Sequence, residues 1–240
     1  MSVGFDVGEA LAGVRGRGGV WGFVRGFAEG WRVPLGAGDG YGEWEIADAE
    51  RRLGFALPVA VREAYGLFGR RRDLTSNQDR LLAPRELVVR EGALVYRVEN
   101  QYAAEWGVLL ADLDQDDPPV YVRGAAGSPG RPLPFLDRFS LACVEMVLAE
   151  SVFGAPDGLG DNRHLDGVDP GYIASRYTRV PLPDCPLWAV DGGVTRWFSA
   201  PGVLLREDAG QWLWVLARTG SALARVRNEL PGDWLLSVRS

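Results

Sequence analysis

The sequence predicts an α+β fold, in which N-terminal helices precede a mostly antiparallel set of strands, followed by a strand-rich extension that ends in a helix. Apolar residues recur at helical spacing in the first third of the chain, short β-type segments separated by turn residues follow, and a long helical pattern returns near residue 140. The 240 residues, 47% hydrophobic and 24% charged, suffice for one large domain or a domain with an extension.

The composition divides the chain into four parts. Residues 1–43 form a helical, glycine-rich segment, residues 44–155 a core, residues 156–180 a connecting loop rich in glycine and aspartate, and residues 181–240 a tryptophan-rich extension. We expect the extension to fold as three strands and a helix. Its tryptophans are expected to fill a core rather than to stack on sugar rings, because large aromatic side chains are mostly buried. They are Trp188, Trp197, Trp212, Trp214 and Trp234.

The predicted N-terminal helices have apolar stripes and recognisable ends. The first lies before Pro34 and carries the stripe Val20, Phe23, Val24, Phe27 and Trp31. The second ends at Gly54, a residue suited to a C-terminal cap, and the third begins near Pro58 and ends at Gly69. Three arginines, 70–72, follow and predict a solvated turn at the carbonyl end of that helix.

The middle of the chain changes to β-type patterns. Strands are predicted at 81–82, 93–98, 106–111 and 120–123, and their short connections favour an antiparallel meander. A helix is then predicted at 140–153, with Gly154 at its end. Its expected apolar face consists of Leu141, Val144, Leu148 and Val152.

The composition also excludes several classes of function. No lysine occurs, so the 26 basic residues are all arginine, and lysine-dependent phosphate loops, Schiff-base enzymes and Ser-Lys dyads are excluded. The formal net charge of −6 argues against direct binding of nucleic acid, which depends on cationic contacts to phosphate. Because neither a membrane-length apolar stretch nor a signal-peptide pattern occurs, we expect a cytoplasmic protein without membrane contact.

Few residues could support catalysis. His164 is the single histidine, and no GxSxG nucleophile motif occurs. Cys143 lies in an apolar helical pattern, where a thiol is expected to be structural rather than reactive, and Cys185 lies beside prolines. We therefore expect no enzyme and no cofactor, and we expect His164 to be a surface or loop-bracing residue. A hydrolase that pairs His164 with an aspartate ranks third, after the two binding functions described below.

The segment DLDQDD, residues 112–117, concentrates acid at the end of a predicted strand. Its first three aspartates match the spacing of a calcium-binding loop, but Asp117 stands where that loop needs glycine and Arg123 where it needs glutamate. A catalytic carboxylate pair would normally come from different segments that face each other across a cleft. We therefore expect no metal site and favour a solvated turn.

Short motifs follow one another along the core. They are LLAPREL, ENQ at 99–101, WGV at 106–108, DDPPV at 116–120 and SLACVEMVLAESVFG, together with Ile46, Glu50, Leu53, Gly54, Leu57, Pro58, Tyr65, Trp106, Pro118 and Pro119. In this order they resemble the SUKH superfamily, the Smi/Knr-type group that includes fungal cell-wall assembly regulators and bacterial immunity proteins. One element is altered, because Phe68-Gly69-Arg70 follows Tyr65 where the family has asparagine and glycine.

The resemblance covers about residues 44–155 and implies that the N-terminal helices pack on a curved, mostly antiparallel sheet. It also implies a non-enzymatic binding module, since bacterial members bind and block a cognate toxin, often a nuclease. An immunity-type protein with a protein partner is the leading prediction, and an intracellular regulatory or adaptor protein linked to cell-wall or carbohydrate processes is the alternative. Acid at the rim of the sheet could attract a basic nuclease surface, or serve solubility alone. The candidate partner-facing residues are Asp112, Asp114, Asp116, Asp117, Asn100 and Gln101.

Overall fold

The computed structural model describes residues 4–124, 132–166 and 170–235. It confirms the α+β class, with N-terminal helices, an antiparallel sheet, a second antiparallel sheet and a C-terminal helix. None of the helices in these ranges is long and apolar enough to cross a membrane.

The helices that precede the first sheet are α1 (Val7–Ala12), α2 (Gly16–Trp31), α3 (Glu43–Leu53), α4 (Val59–Phe68) and α5 (Arg72–Thr75). The sequence patterns predict α2, α3 and α4, whereas α1 and α5 are too short to show a period. Gly54 ends α3 with a φ of 84°, a left-handed conformation that a residue with a Cβ adopts only at a cost.

Arg71 corrects the prediction of a solvated turn at 70–72. Its side chain is almost fully buried and donates hydrogen bonds to the carboxylates of Asp39 and Asp73 at 3.0 and 2.8 Å. A further bond reaches the carbonyl of Val33 at 2.9 Å. The cation therefore fastens the segment between α2 and α3 to the start of α5, a role that a local charge pattern does not reveal.

The first sheet consists of β1 (Asp79–Leu81), β2 (Val88–Arg90), β3 (Ala93–Glu99), β4 (Ala104–Leu109), β5 (Val120–Gly124) and β6 (Leu133–Leu136), and the helix α6 (Phe139–Phe153) follows it. The strand order is β1-β3-β4-β5-β6, and β2 pairs with β3 beside β1. All of these pairings are antiparallel, as the sequence predicts for a meander.

The second sheet consists of β7 (Gly160–His164), β8 (Thr178–Arg179), β9 (Cys185–Pro186), β10 (Val194–Ala200), β11 (Val203–Asp208) and β12 (Trp212–Ala217), with the helices α7 (Pro170–Arg176) and α8 (Gly220–Glu229). Its order is β7-β12-β11-β10-β8, and β9 also pairs with β10. The predicted three strands and helix correspond to β10, β11, β12 and α8. The stretch 156–180, predicted as a loop, instead contains β7, α7 and β8; β7 was missed because it is a polar strand at the edge of the sheet.

Helix α6 is the central element of the fold. The prediction of a single apolar face is wrong, because every side chain from Phe139 to Val152 is buried. The helix contacts α2, α4 and α5 as well as β6, β11 and β12. One continuous apolar core therefore includes the N-terminal helices, the first sheet, α6 and the inner face of the second sheet. The outer face of the second sheet forms a smaller core with α8.

Candidate functional site

The acidic segment, residues 112–117, lies in the connection between β4 and β5. We call residues 110–119 the acidic loop. Strand β4 ends at Leu109, two residues earlier than predicted, and a single 3₁₀ turn follows. The carboxylate of Asp117 accepts hydrogen bonds from the backbone N–H and the hydroxyl of Ser140 at 2.8 and 2.6 Å. The carbonyl of Pro118 accepts one from the backbone N–H of Phe139 at 2.7 Å. Asp117 and Pro118 thus cap the first turn of α6, so Asp117 has a structural function.

The other three aspartates of the loop differ in exposure, and the carboxylate of Asp112 accepts a hydrogen bond from the side-chain amide of Gln115 at 2.9 Å. Asp114 and Asp116 are exposed, and Asp112 is half-buried. The side chain of Asp116 is 72% exposed and lies 3.8 Å from the guanidinium of Arg17, while its backbone carbonyl accepts a hydrogen bond from the N–H of Ala60 at 2.8 Å. The loop therefore presents carboxylates on a backbone that is fixed at several points.

Asn100 and Gln101 lie in the turn between β3 and β4, and both are exposed. The carboxylate of Glu99 accepts hydrogen bonds from the backbone N–H groups of Gln101 and Ala103 at 2.7 and 3.1 Å, and Tyr102 has a φ of 61°. This turn is at the opposite end of β4 from the acidic loop, about 20 Å away for a six-residue strand. The structure therefore does not bring the two groups of predicted partner-facing residues together.

Two motif residues fix α3 and α4, Glu50 by joining the helices to each other and Tyr65 by joining α4 to the segment after β1. The carboxylate of Glu50 accepts a hydrogen bond from the backbone N–H of Leu57 at 2.8 Å and pairs with Arg62 at 2.5 Å. Burial alone would raise the pKa of Glu50, but Arg62 and the Leu57 N–H outweigh it and lower the pKa. The buried hydroxyl of Tyr65 donates to the carbonyl of Leu82 at 2.7 Å. Glu50 and Tyr65 are thus structural residues.

Trp106 lies on β4 of the first sheet, and its side chain is buried. The guanidinium of Arg97 lies 4.6 Å from the centre of its ring, and the ring of Phe135 meets it edge-on at 6.1 Å. Within the described chain the indole N–H of Trp106 has no hydrogen-bond acceptor. Its role is packing and support of Arg97.

A buried charge cluster occupies the space around α6. We use this name for Asp79, Arg97, Glu145, Glu150, Arg206 and Asp208. Arg97 of β3 donates hydrogen bonds to Asp79, Glu145 and Glu150 at 2.8, 2.9 and 2.9 Å. Glu150 also accepts from the backbone N–H groups of residues 77 and 78 at 2.6 and 2.7 Å. Arg97 is therefore surrounded by carboxylates, and Glu150 among them also accepts hydrogen bonds from backbone N–H groups.

The second sheet joins the same cluster. Arg206 of β11 reaches Glu145 at 3.4 Å and Asp208 at 2.9 Å, and Asp208 also accepts from the hydroxyl of Thr195 at 2.7 Å. Burial would lower the pKa of Arg97, but its three carboxylate partners raise it above its ordinary value. Burial raises the pKa of Asp79 to about 6, although Arg97 opposes the shift. The cluster joins three layers of the fold and is closed to solvent.

Sequence reasoning missed the charge cluster, although a signal was present. Arg97 interrupts the apolar strand LVYRVE, and Glu145 and Glu150 interrupt the apolar run of α6. Charged side chains at such positions are almost never fully buried unless they are paired. A search for opposite charges within apolar segments would therefore have indicated the cluster, but not which residues meet.

The residues considered for catalysis are separated in the fold. Cys143 and Cys185 are both buried and unpaired, and burial raises the pKa of each thiol above its ordinary value. His164 is exposed on β7, where its ring lies 3.6 Å from that of Trp212. Among the described residues no carboxylate accepts a hydrogen bond from His164, and no three His, Cys, Asp or Glu side chains are grouped so that they could hold a metal ion.

The five tryptophans of the extension were predicted as core. Trp197 and Trp234 are buried, as predicted, but Trp188, Trp212 and Trp214 are only half-buried. We call the row of rings from His164 through Trp212 and Trp214 to Phe153 the aromatic strip. Elsewhere, Trp44 at the start of α3 is 74% exposed, although helical periodicity did not single it out.

The fold and these surfaces define an α+β protein with two antiparallel sheets joined by a central helix and a buried charge cluster. No protein-family model, no curated protein and no solved structure matches the chain.

Proposed function

We propose that this protein is a non-enzymatic protein-binding module of the SUKH type, and that it acts as an immunity protein that binds and blocks a toxin, in the first instance a nuclease. The acidic loop is the observation that carries the proposal. It presents Asp112, Asp114 and Asp116 on a backbone that is anchored to α4 and α6.

The anchoring matters because an ordered loop loses little conformational entropy when a partner binds. The protein also carries a net charge of −6, so its long-range field attracts a basic partner such as a nuclease. Carboxylates at the rim of an interface mainly raise the association rate and set the choice of partner. An acidic, preorganised loop is therefore suited to rapid capture of a basic protein.

The test uses the product of a toxin gene adjacent to the gene for this chain. Co-expression should restore growth of cells that produce the toxin, and surface plasmon resonance should show an association rate that falls as salt rises. Replacing Asp112, Asp114 and Asp116 of the acidic loop by asparagine should slow association more than it speeds dissociation.

A matched control has the same change in net charge at other exposed positions. It combines Glu29→Gln, Asp191→Asn and Asp233→Asn. If both triple variants slow association equally, the effect is net charge and the acidic loop is not the interface. Failure of the wild-type chain to bind or neutralise the toxin would refute the immunity function itself.

A further inference from the structure

The aromatic strip is continuous from the edge of the second sheet to the end of α6. The rings of Trp212 and Trp214 are stacked, with centroids 5.8 Å apart and an angle of 25° between planes. At one end His164 lies 3.6 Å from Trp212, and at the other Phe153 meets Trp214 edge-on at 5.0 Å. His164, Trp212 and Trp214 share one face of the second sheet, because β12 and β7 are paired in register with Trp212 opposite His164, and Phe153 approaches that face from the end of α6.

A cavity of about 440 Å³ adjoins the strip where α6 ends. Phe153 and Trp214 form its apolar wall, and Asp157, Asn162 and Arg227 contribute polar groups. The guanidinium of Arg227 is held by two hydrogen bonds to one oxygen of the buried carboxylate of Asp161, at 2.8 and 2.5 Å. The volume falls within the range of small-ligand sites, which combine an apolar wall with a few placed polar groups.

We propose that the aromatic strip and this cavity bind a neutral oligosaccharide. A sugar ring has an apolar C–H face that packs on an aromatic ring, while its hydroxyls at the rim need donors and acceptors in one place. The strip supplies a succession of aromatic surfaces, and the cavity supplies a carboxylate, an amide and a guanidinium. The inference does not depend on the protein-binding role proposed above.

Charge distinguishes this ligand from the other polymers that stack on aromatic rows. Single-stranded nucleic acid needs a cationic groove that follows its phosphates. Among the described residues that line the cavity, the carboxylates of Asp157 and Asp161 stand against one guanidinium, that of Arg227, and Arg227 is already paired. Anionic chains would therefore be repelled, whereas an uncharged chain would not.

Exposure distinguishes the strip from ordinary core. Trp197, on the same sheet, is fully buried and serves packing alone. Trp212 and Trp214 are half-buried and His164 is exposed, so this row is not closed into the core as Trp197 is. The length of the strip further implies that an extended chain of sugars binds better than a single sugar.

The experiment is isothermal titration calorimetry of the full chain with cellohexaose, laminarihexaose and chitohexaose, with glucose and N-acetylglucosamine as single-sugar probes. At least one hexasaccharide should bind, and more tightly than its monosaccharide. Trp212→Ala should weaken that binding by about tenfold, comparable to the loss of one stacking aromatic in a nucleic-acid groove. His164→Ala removes the exposed end of the strip with little effect on folding, and should weaken binding in the same direction.

Trp44→Ala is the matched control, since it removes an exposed tryptophan far from the strip along the chain and should leave sugar binding unchanged. Circular dichroism melting verifies that each variant is folded. The proposal is wrong if no hexasaccharide binds, or if folded Trp212→Ala and His164→Ala bind as the wild type does. Tighter binding of oligothymidylate or hexagalacturonate than of neutral sugars would overturn the assignment of a neutral ligand. The aspartate variants of the acidic loop should retain sugar binding, so the two proposals fail separately.

Discussion

Arg97 and Glu145 form an ion pair, with 2.9 Å between Nη1 and Oε2, in which both side chains are almost fully buried. Arg97 belongs to the first sheet and Glu145 to the central helix. The second oxygen of Glu145 accepts from Arg206 of the second sheet at 3.4 Å. One carboxylate thus bonds to a cation from each sheet, which couples the folding of the tryptophan-rich extension to that of the core.

Removal of Arg97 should destabilise the whole chain. Arg97→Met leaves Asp79, Glu145 and Glu150 buried without their common cation, and breaking such a buried pair costs about 3 to 5 kcal/mol. Urea denaturation followed by far-ultraviolet circular dichroism measures the change. Arg51→Met is the control, because Arg51 pairs with Asp48 at the surface and exposed pairs contribute about 0 to 1 kcal/mol. A loss for Arg97→Met no larger than that of the control would mean that the cluster does not stabilise the fold.

The raised pKa of Asp79 predicts how stability depends on pH. In the folded chain this pKa is about 6, so the folded state holds a proton that the unfolded state, with an ordinary pKa near 3.8, releases. The contribution is fully present below about pH 4 and is lost as pH rises through about 6, by about 3 kcal/mol at most.

The free energy of unfolding of the wild type should therefore fall between pH 5 and pH 7.5, and Asp79→Asn should flatten this fall. The range starts at pH 5 because Glu50 and Glu86, whose pKa values are lowered, lose their stabilising charge only below their ordinary pKa. Asp48→Asn, at the surface, should leave the slope unchanged. An unaltered slope in Asp79→Asn would assign the dependence to other groups.

Replacing Asp117 should destabilise the fold, whereas replacing the other aspartates of the acidic loop should not. Asp117→Ala removes the carboxylate that caps α6 through Ser140, and the loss of a cap costs about 0.5 to 2 kcal/mol. Asp114→Ala should change stability little, because this side chain is exposed. Thermal melting of both variants checks the difference. Equal melting temperatures would contradict the capping role of Asp117.

The two thiols should be unreactive in the native state. Cys143 and Cys185 are buried, and their raised pKa values keep both protonated at neutral pH. Ellman's reagent should therefore modify neither cysteine until denaturant is added, and both afterwards. Rapid modification of native protein at pH 7.5 would show that one of the two segments opens to solvent. The variants Cys143→Ala and Cys185→Ala would then identify which.

The sequence predicted the acidic loop of the candidate site only in part. DLDQDD followed by two prolines predicted an acidic turn at the end of a strand, and such a turn is present. The pattern could not separate Asp117 from its neighbours, since the helix that it caps begins more than twenty residues later along the chain. Whether Asp112, Asp114 and Asp116 meet a partner stays a prediction.

Local patterns in the sequence determined the α+β class, the presence of α2, α3 and α4 with the ends of α3 and α4, and the strands β1, β3, β4 and β5. They did so because hydrophobic period, glycine caps and turn residues act over a few neighbouring positions. They did not predict the short strands β2 and β6. The tertiary structure alone decided that α6 is buried on all sides, that Arg97, Glu145 and Arg206 meet, and that Trp212 and Trp214 are half-buried while Trp197 is fully buried. Each of these depends on which distant segments approach one another, and a contact between segments far apart in the chain leaves no period in the sequence of either one.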